Sequence, residues 1–295
     1  MRFFKNDCER VFLRPYNIQT NNGAIVNLME NGTLDKQDTK LLEFLYTNKF
    51  ATLEQLERIG YFYGVESVKE RLSTMFTNSI VNKIGFTDQP DRRLPSDALI
   101  LYCLADGGKH ILEHYTDRQI IWECSNVCQL PSVIGDCLIY NELYLAFLFN
   151  KKVKHVTSEA DPKFYLRSEV LTTTANHQFS NGEDVLYLMS DIIHTDMDVF
   201  ELRKHLRLIE AVVTTQIWKR FFGDGANPPI VIFIVENDDS AKFLTKEVYQ
   251  SSKVRDFRLT TPERLNGTLG RTGAFMKYDE ASETLIDVKV GMFDE

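Results

Sequence analysis

Residues 38–112 constrain the fold more than any other stretch of the chain. The spacing predicts two short amphipathic helices, a third helix and then a β-hairpin. The first helix covers 39–49, capped by Asp38 or Thr39, with Leu41, Leu42, Leu45 and Tyr46 on one stripe. Thr52 caps a second helix, and Gln55 three residues on is the partner a capping box uses. Leu53, Leu56 and Ile59 face inward, and Gly60 reads as its stop. The turn 61–67 leads to a third helix that buries Val68, Leu72, Met75 and Phe76. Ser67, Lys69, Arg71, Ser73 and Thr74 are left outside. Residues 80–86 and 98–106 are hairpin strands, and the turn-rich tip between them carries Arg92 and Arg93. Two glycines, Gly107 and Gly108, end the second strand before a short helix.

This order is the layout of a winged helix-turn-helix. There the last helix enters the major groove and a wing reaches the backbone. Thr52, Gln55, Ser67, Lys69, Arg71, Ser73, Thr74, Lys83, Arg92 and Arg93 are the expected DNA-contacting residues. The groove helix also carries Glu66 and Glu70, so its face is not strongly basic. Such units also serve as protein-interaction modules, and that reading stays open.

Charge sharpens the point. The chain has 295 residues and a formal net charge of −8, which disfavours indiscriminate nucleic-acid binding. DNA contact must come from a local patch, or from a dimer presenting two. Apolar content of 43% and charged content of 26% are ordinary for a globular protein of one or two domains. No apolar run approaches the ~20 residues of a membrane span. Five cysteines, an odd number, with no signal peptide, imply a reduced, cytoplasmic protein. Cys124, Cys128 and Cys137 lack a paired C-x-x-C, so free thiols are expected and no metal. No cofactor motif is present, neither a Walker A loop nor G-x-G-x-x-G, and there is no G-x-S-x-G elbow.

Around this head the chain divides into four parts. Residues 1–37 form a locally basic arm or small hairpin, with the apolar run 23–29 as one strand. Residues 38–115 form the winged unit. Residues 116–150 are a connector and a helix from Asp136 that is apolar on nearly all faces, hence buried in a core or at a dimer interface. Residues 151–295 form an α/β domain. Strands are expected over 151–157, 164–173, 185–193 and 229–236, the last covered on both faces. A polar turn is expected over 175–185. A long helix spans 197–222 with Val199, Leu202, Leu206, Ile209, Val213 and Ile217 inward. A further helix, a strand and a terminal hairpin follow. The alternation argues for parallel pairing.

Three stretches carry a family resemblance: SVKERLSTMFTNSIVNKIGF, ILYCLADGGKHIL and VIGDCLIYNELYLAFL. Tyr102, Leu104 and Gly107 or Gly108 stand where that family has Y-x-L-T-x-x-G, with Ala105 in place of Thr; Asn141 and Glu142 stand at its N-E. The chain resembles the replication-relaxation family of plasmids and integrative elements over about two thirds of its length. The resemblance implies an accessory role on a mobile element. It also implies a restriction-endonuclease-like core in the C-terminal half.

Such a core needs carboxylates on a strand and an E-x-K to gather a divalent ion. Here Ser190 stands near where an acid is wanted, Asp191 is followed by two isoleucines, and no E-x-K shares the strand. Asp196 or Asp198 reads as a helix cap, Lys204 as solvated, and His205 as a surface histidine. The expectation is a core that has lost its site. A dimeric transcriptional regulator and a divalent-metal nuclease are the alternative functions.

Overall fold

The computed structural model describes residues 9–12, 22–87, 98–123, 127–149, 154–167, 169–180, 182, 184–194, 196–265, 274–279 and 281–288. The chain divides into two compact units, residues 3–141 and 142–295. It is a mixed α+β protein.

The first unit contains β1 (Glu9–Phe12), α1 (Asn22–Glu30), α2 (Asp38–Asn48), β2 (Phe50–Thr52), α3 (Leu53–Tyr63), α4 (Val68–Thr77), β3 (Val81–Thr87), β4 (Ile100–Leu104) and α5 (Asp106–Thr116). It also takes the residues of α6 (Pro131–Leu148) up to Asn141. Its sheet runs β1-β3-β4-β2, antiparallel throughout. The expected hairpin is β3–β4, with Ile84 opposite Leu101. Phe50, Ile84, Leu101 and Cys103 form a core with Ile134 and Leu138 of α6.

Several boundaries differ from the sequence reading. The run at 23–29 is a helix, not a strand; a short apolar run does not distinguish the two, and only Ile25 of this one is buried. Gly60 does not stop α3. A Cβ there would sit 2.3 Å from Val68 Cγ2, so this glycine permits the close approach of α4. The helix ends at Gly64, whose φ of 73° is left-handed. Gly107 and Gly108 lie inside α5, where side chains would strike the Ser79 and Ile80 carbonyls at 2.8 and 2.6 Å. Asp38 is not a cap: Gln37 holds that position without a side-chain bond. Helix α6 begins at Pro131, a residue suited to a first helical turn.

The second unit contains β5 (Lys154–Ala160), β6 (Lys163–Leu166), β7 (Glu169–Thr172), β8 (Ala175–Ser180), β9 (Val185–Ile192), α7 (Val199–Thr214), α8 (Lys219–Phe222), β10 (Ile230–Ile234), α9 (Asp238–Ser251), β11 (Phe257–Thr260), α10 (Pro262–Leu265), β12 (Met276–Asp279) and β13 (Thr284–Asp287). Seven strands form one sheet in the order β13-β12-β11-β10-β9-β8-β5. The three central strands β9, β10 and β11 are parallel and the others antiparallel. β6 and β7 form a separate hairpin. Leu202, Leu206, Ile209 and Val212 of α7 pack with Ala241, Leu244 and Val248 of α9 over Met189, Val231, Phe233 and Phe257.

The expected polar turn at 175–185 is mostly strand β8. Its Asn176 and His177 are buried, so polarity there does not mark solvent. The expected long helix breaks after Thr214: Gln216 adopts a φ of 58°, and Trp218 turns inward, its indole N–H donating to the Val213 carbonyl at 3.2 Å. Val199 is exposed rather than on the buried stripe. Asp198 is the cap of α7, accepting from the Phe200 and Glu201 amides. Among the described residues no helix is long and apolar enough to cross a membrane.

Candidate functional site

Helix α3 starts in a complete capping box. The Thr52 hydroxyl accepts from the Gln55 amide at 3.2 Å, and Gln55 Oε1 accepts from the Thr52 amide at 3.2 Å. Gln55 is only 1% exposed. Its Nε2 donates to the Leu138 carbonyl at 3.0 Å, and its Oε1 accepts from Asn141 Nδ2 at 3.1 Å. Asn141 Nδ2 in turn donates to the Phe50 carbonyl at 2.7 Å. Gln55 is therefore a buried linchpin between α3, β2 and α6, not a groove contact. Thr52 is half-buried and its hydroxyl is occupied by the cap.

Helix α4 buries Val68, Leu72 and Met75 through the helical spacing read from the sequence. Ser67 precedes it with a left-handed φ of 50° and leaves the first turn without a side-chain cap. Ser67, Lys69 and Ser73 are exposed and Thr74 half-buried, together with exposed Glu66 and Glu70.

Arg71 does not project outward as the sequence reading had it. Its Nη1 donates to Asp38 Oδ2 at 2.7 Å, Nη2 to Asp35 Oδ2 at 3.2 Å, and Nε to the Glu66 carbonyl at 3.0 Å. Asp38 is 0% exposed. Burial pushes its carboxyl above the usual carboxylate value, outweighing the Asp35 amide and the Arg71 guanidinium, which pull it down. Arg71 is thus a clasp between α4 and the start of α2. Lys83 is half-buried, with its ammonium 4.6 Å from the Phe76 ring centroid and 5.3 Å from that of Tyr102. Arg92 and Arg93 lie outside the described residues.

One surface feature escaped the sequence reading. Tyr61 is 82% exposed, and Phe62 and Tyr63 are exposed beside it at the end of α3. Three consecutive aromatics on a helix cannot all face one core, which is the signal that was available.

In the second unit, Asp191 stands near the end of β9. His205 Nε2 of α7 bonds its Oδ2, and Thr174 Oγ1 lies 3.5 Å from its Oδ1. His205 is therefore not a surface histidine. Burial pulls its pKa down, but the Asp191 carboxylate beside it raises it further, and the net position is above the ordinary imidazole value. Lys204 is not merely solvated either: it pairs with Glu169 of β7 at 2.9 Å. Arg203 grips Glu247 of α9 through two bonds of 2.7 and 3.2 Å. These three neighbours strap α7 to three different elements. On the strand next to Asp191, buried His177 lies 3.1 Å from Ser158 Oγ and 3.5 Å from Ser190 Oγ.

Among the described residues no group of three or more His, Cys, Asp or Glu side chains could hold a metal ion. Among the described residues Cys103, Cys128 and Cys137 form no disulfide; Cys8 and Cys124 lie outside the described residues. In comparisons with protein-family models, with curated proteins and with solved structures, the chain matches none.

Proposed function

We propose that the chain binds duplex DNA through a winged helix-turn-helix formed by α2, β2, α3, α4 and the β3–β4 hairpin. Helix α4 is the groove helix. The observation that carries this reading is the element order helix–strand–helix–helix–strand–strand, with the polar face of α4 uncovered at Ser67, Lys69 and Ser73. Arg92 and Arg93, on the connection between β3 and β4, and Lys69 of α4 supply the phosphate contacts in this proposal. Gln55 and Arg71 are withdrawn from the contact set, since both are engaged within the protein. With Glu70 on the same helix and Glu66 just before it, affinity is modest, and a homodimer presenting two heads would raise it.

The resemblance to the replication-relaxation family supports the process: an accessory DNA-binding protein of a mobile element, working in the cytoplasm. The second unit is read as an endonuclease-like core without a working site. Its parallel strands joined by α7 and α9 suit that reading, and so does the engagement of Asp191 by His205. The test is fluorescence anisotropy of the full chain on a pool of random-sequence duplexes at low salt. Salt-sensitive binding that weakens in a Lys69→Ala, Arg92→Ala, Arg93→Ala variant is the expected result.

A second reading has its own observation. Tyr61, Phe62 and Tyr63 are exposed on a surface that also carries Glu57 and Glu66, and such a surface suits a protein partner. Absence of any salt-sensitive affinity for DNA would favour it.

A further inference from the structure

The second unit holds an open cleft of about 480 Å³, within the size range of small-ligand sites. It is lined by Glu159 of β5, Asp161, Lys163 and Tyr165 of the β6 hairpin, and Ile217, Arg220 and Phe221 around α8. This set combines three recognition chemistries in one place. Lys163 and Arg220 are exposed cations that pair with no carboxylate among the described residues, whereas Arg203 and Lys204 of α7 are ion-paired. Tyr165 is 61% exposed, and Phe221, held by the Phe164 ring at a centroid distance of 4.7 Å, lines the same cleft. Glu159 brings a carboxylate.

A second observation lies beside it. Asn176 is directly opposite Glu159 in the β5–β8 register, so the two side chains leave the sheet on the same face. Asn176 is buried, yet among the described residues neither its Oδ1 nor its Nδ2 has a hydrogen-bond partner. A buried amide with both ends unsatisfied is costly, and such groups call for an explanation. It shares that sheet face with the cleft-lining Glu159 without itself lining the cleft.

We propose that this cleft binds a guanine nucleotide unit, either free or within a single strand. The phosphate takes the two unpaired cations, for which the Arg220 guanidinium is the stronger, fork-shaped partner. The base lies against Tyr165, whose exposed ring offers a stacking platform. Guanine is selected by the Glu159 carboxylate. Guanine presents two adjacent donors, N1–H and N2–H, on one edge, and a carboxylate accepts both. Adenine has an acceptor at the corresponding ring nitrogen and cannot match it. The two carboxylates, Glu159 and Asp161, offset the two cations, so a bare phosphate or a nucleic-acid backbone without a base is not the ligand. This site is independent of the duplex-binding face on α4.

The experiment titrates the full chain with 5′-GMP, 5′-AMP, guanosine and a short oligothymidylate carrying one central guanine, followed by calorimetry. The expected result is saturable binding of GMP or of the guanine oligonucleotide. AMP should be weaker by about tenfold, the loss of a good base contact. Arg220→Ala weakens binding by about tenfold, as removal of a charge-assisted contact to phosphate does. Glu159→Gln abolishes the preference for guanine over adenine while leaving phosphate dependence in place. Binding of the oligonucleotide alone assigns the unit to a strand; binding of GMP as well assigns it to the free nucleotide. No saturable binding of either, or equal binding in Arg220→Ala, overturns the proposal. All substituted positions are exposed, and an unchanged circular dichroism melt confirms that each variant is folded. Failure here with intact duplex binding refutes this site alone, and a Lys69→Ala variant that binds GMP normally separates the two surfaces.

Discussion

The Arg71 clasp offers the sharpest test of how the first unit is held together. Substituting Arg71 with Ala leaves the Asp38 carboxyl, which is 0% exposed, without its cation. Removing one partner of a buried pair typically costs about 3–5 kcal/mol. The lower end applies, because the Asp35 amide still donates to Asp38 Oδ2 at 2.8 Å, and because burial already holds this carboxyl toward its neutral form. The loss expected for Arg71→Ala is thus about 3 kcal/mol. Replacing both residues by leucine removes the charge together with its desolvation cost and should return stability to within about 1 kcal/mol of the parent. Urea denaturation measures this, with Trp122 as the reporter of the first unit in a Trp218→Phe background. DNA binding by Arg71→Ala, measured where the variant is still folded, should match the parent. A variant of undiminished stability that has lost DNA affinity would refute the clasp and return Arg71 to the contact set.

Other perturbations follow from single contacts. Gly60→Ala forces a Cβ onto Val68 Cγ2 at 2.3 Å and should destabilise by about 1–3 kcal/mol, with much of the loss recovered by adding Val68→Ala; a melt of the single and double variants decides it. Since the His205 pKa is raised in the folded protein, its contribution to stability is complete below the ordinary imidazole value and is lost as pH rises through the folded-state value. The melting temperature of the second unit should therefore decline as pH rises above the ordinary imidazole value, and His205→Gln should remove that part of the slope. Incubation with supercoiled DNA and Mg²⁺ or Mn²⁺ should give no cleavage; cleavage abolished by Asp191→Ala would show that the second unit retains a working site.

Local signals in the sequence were readable wherever the physics was local. Thr52 and Gln55 are three residues apart, so that cap could be read directly, and the α7 cap could be narrowed to Asp196 or Asp198, of which Asp198 is the one. The β10 run Ile230–Ile234 announced a strand covered on both faces, and it is the sheet's parallel centre. Beyond the local misreadings at 23–29, Asp38 and Gly60, the failures were long-range. Arg71 finds Asp38 across 33 residues and Gln55 finds Leu138 across 83, and nothing in helical periodicity distinguishes a cation or amide with a distant partner from one facing water. Strand β8 was hidden for a related reason. Its Asn176 and His177 are polar but buried, and a pattern built on hydrophobicity reads such a strand as a turn. Likewise Asp191 looked unsupported because its partner His205 sits on a different element.

The most direct measurement is the salt dependence of duplex affinity for the parent chain and for Lys69→Glu, an exposed position on α4 whose substitution leaves the core untouched. Each phosphate contact contributes about −0.9 to the slope of log affinity against log salt. The account predicts measurable binding that weakens as salt rises, with Lys69→Glu weaker and its slope shallower by about one contact. Identical binding curves for the two proteins, or no salt-sensitive affinity for any duplex in the pool, would contradict it.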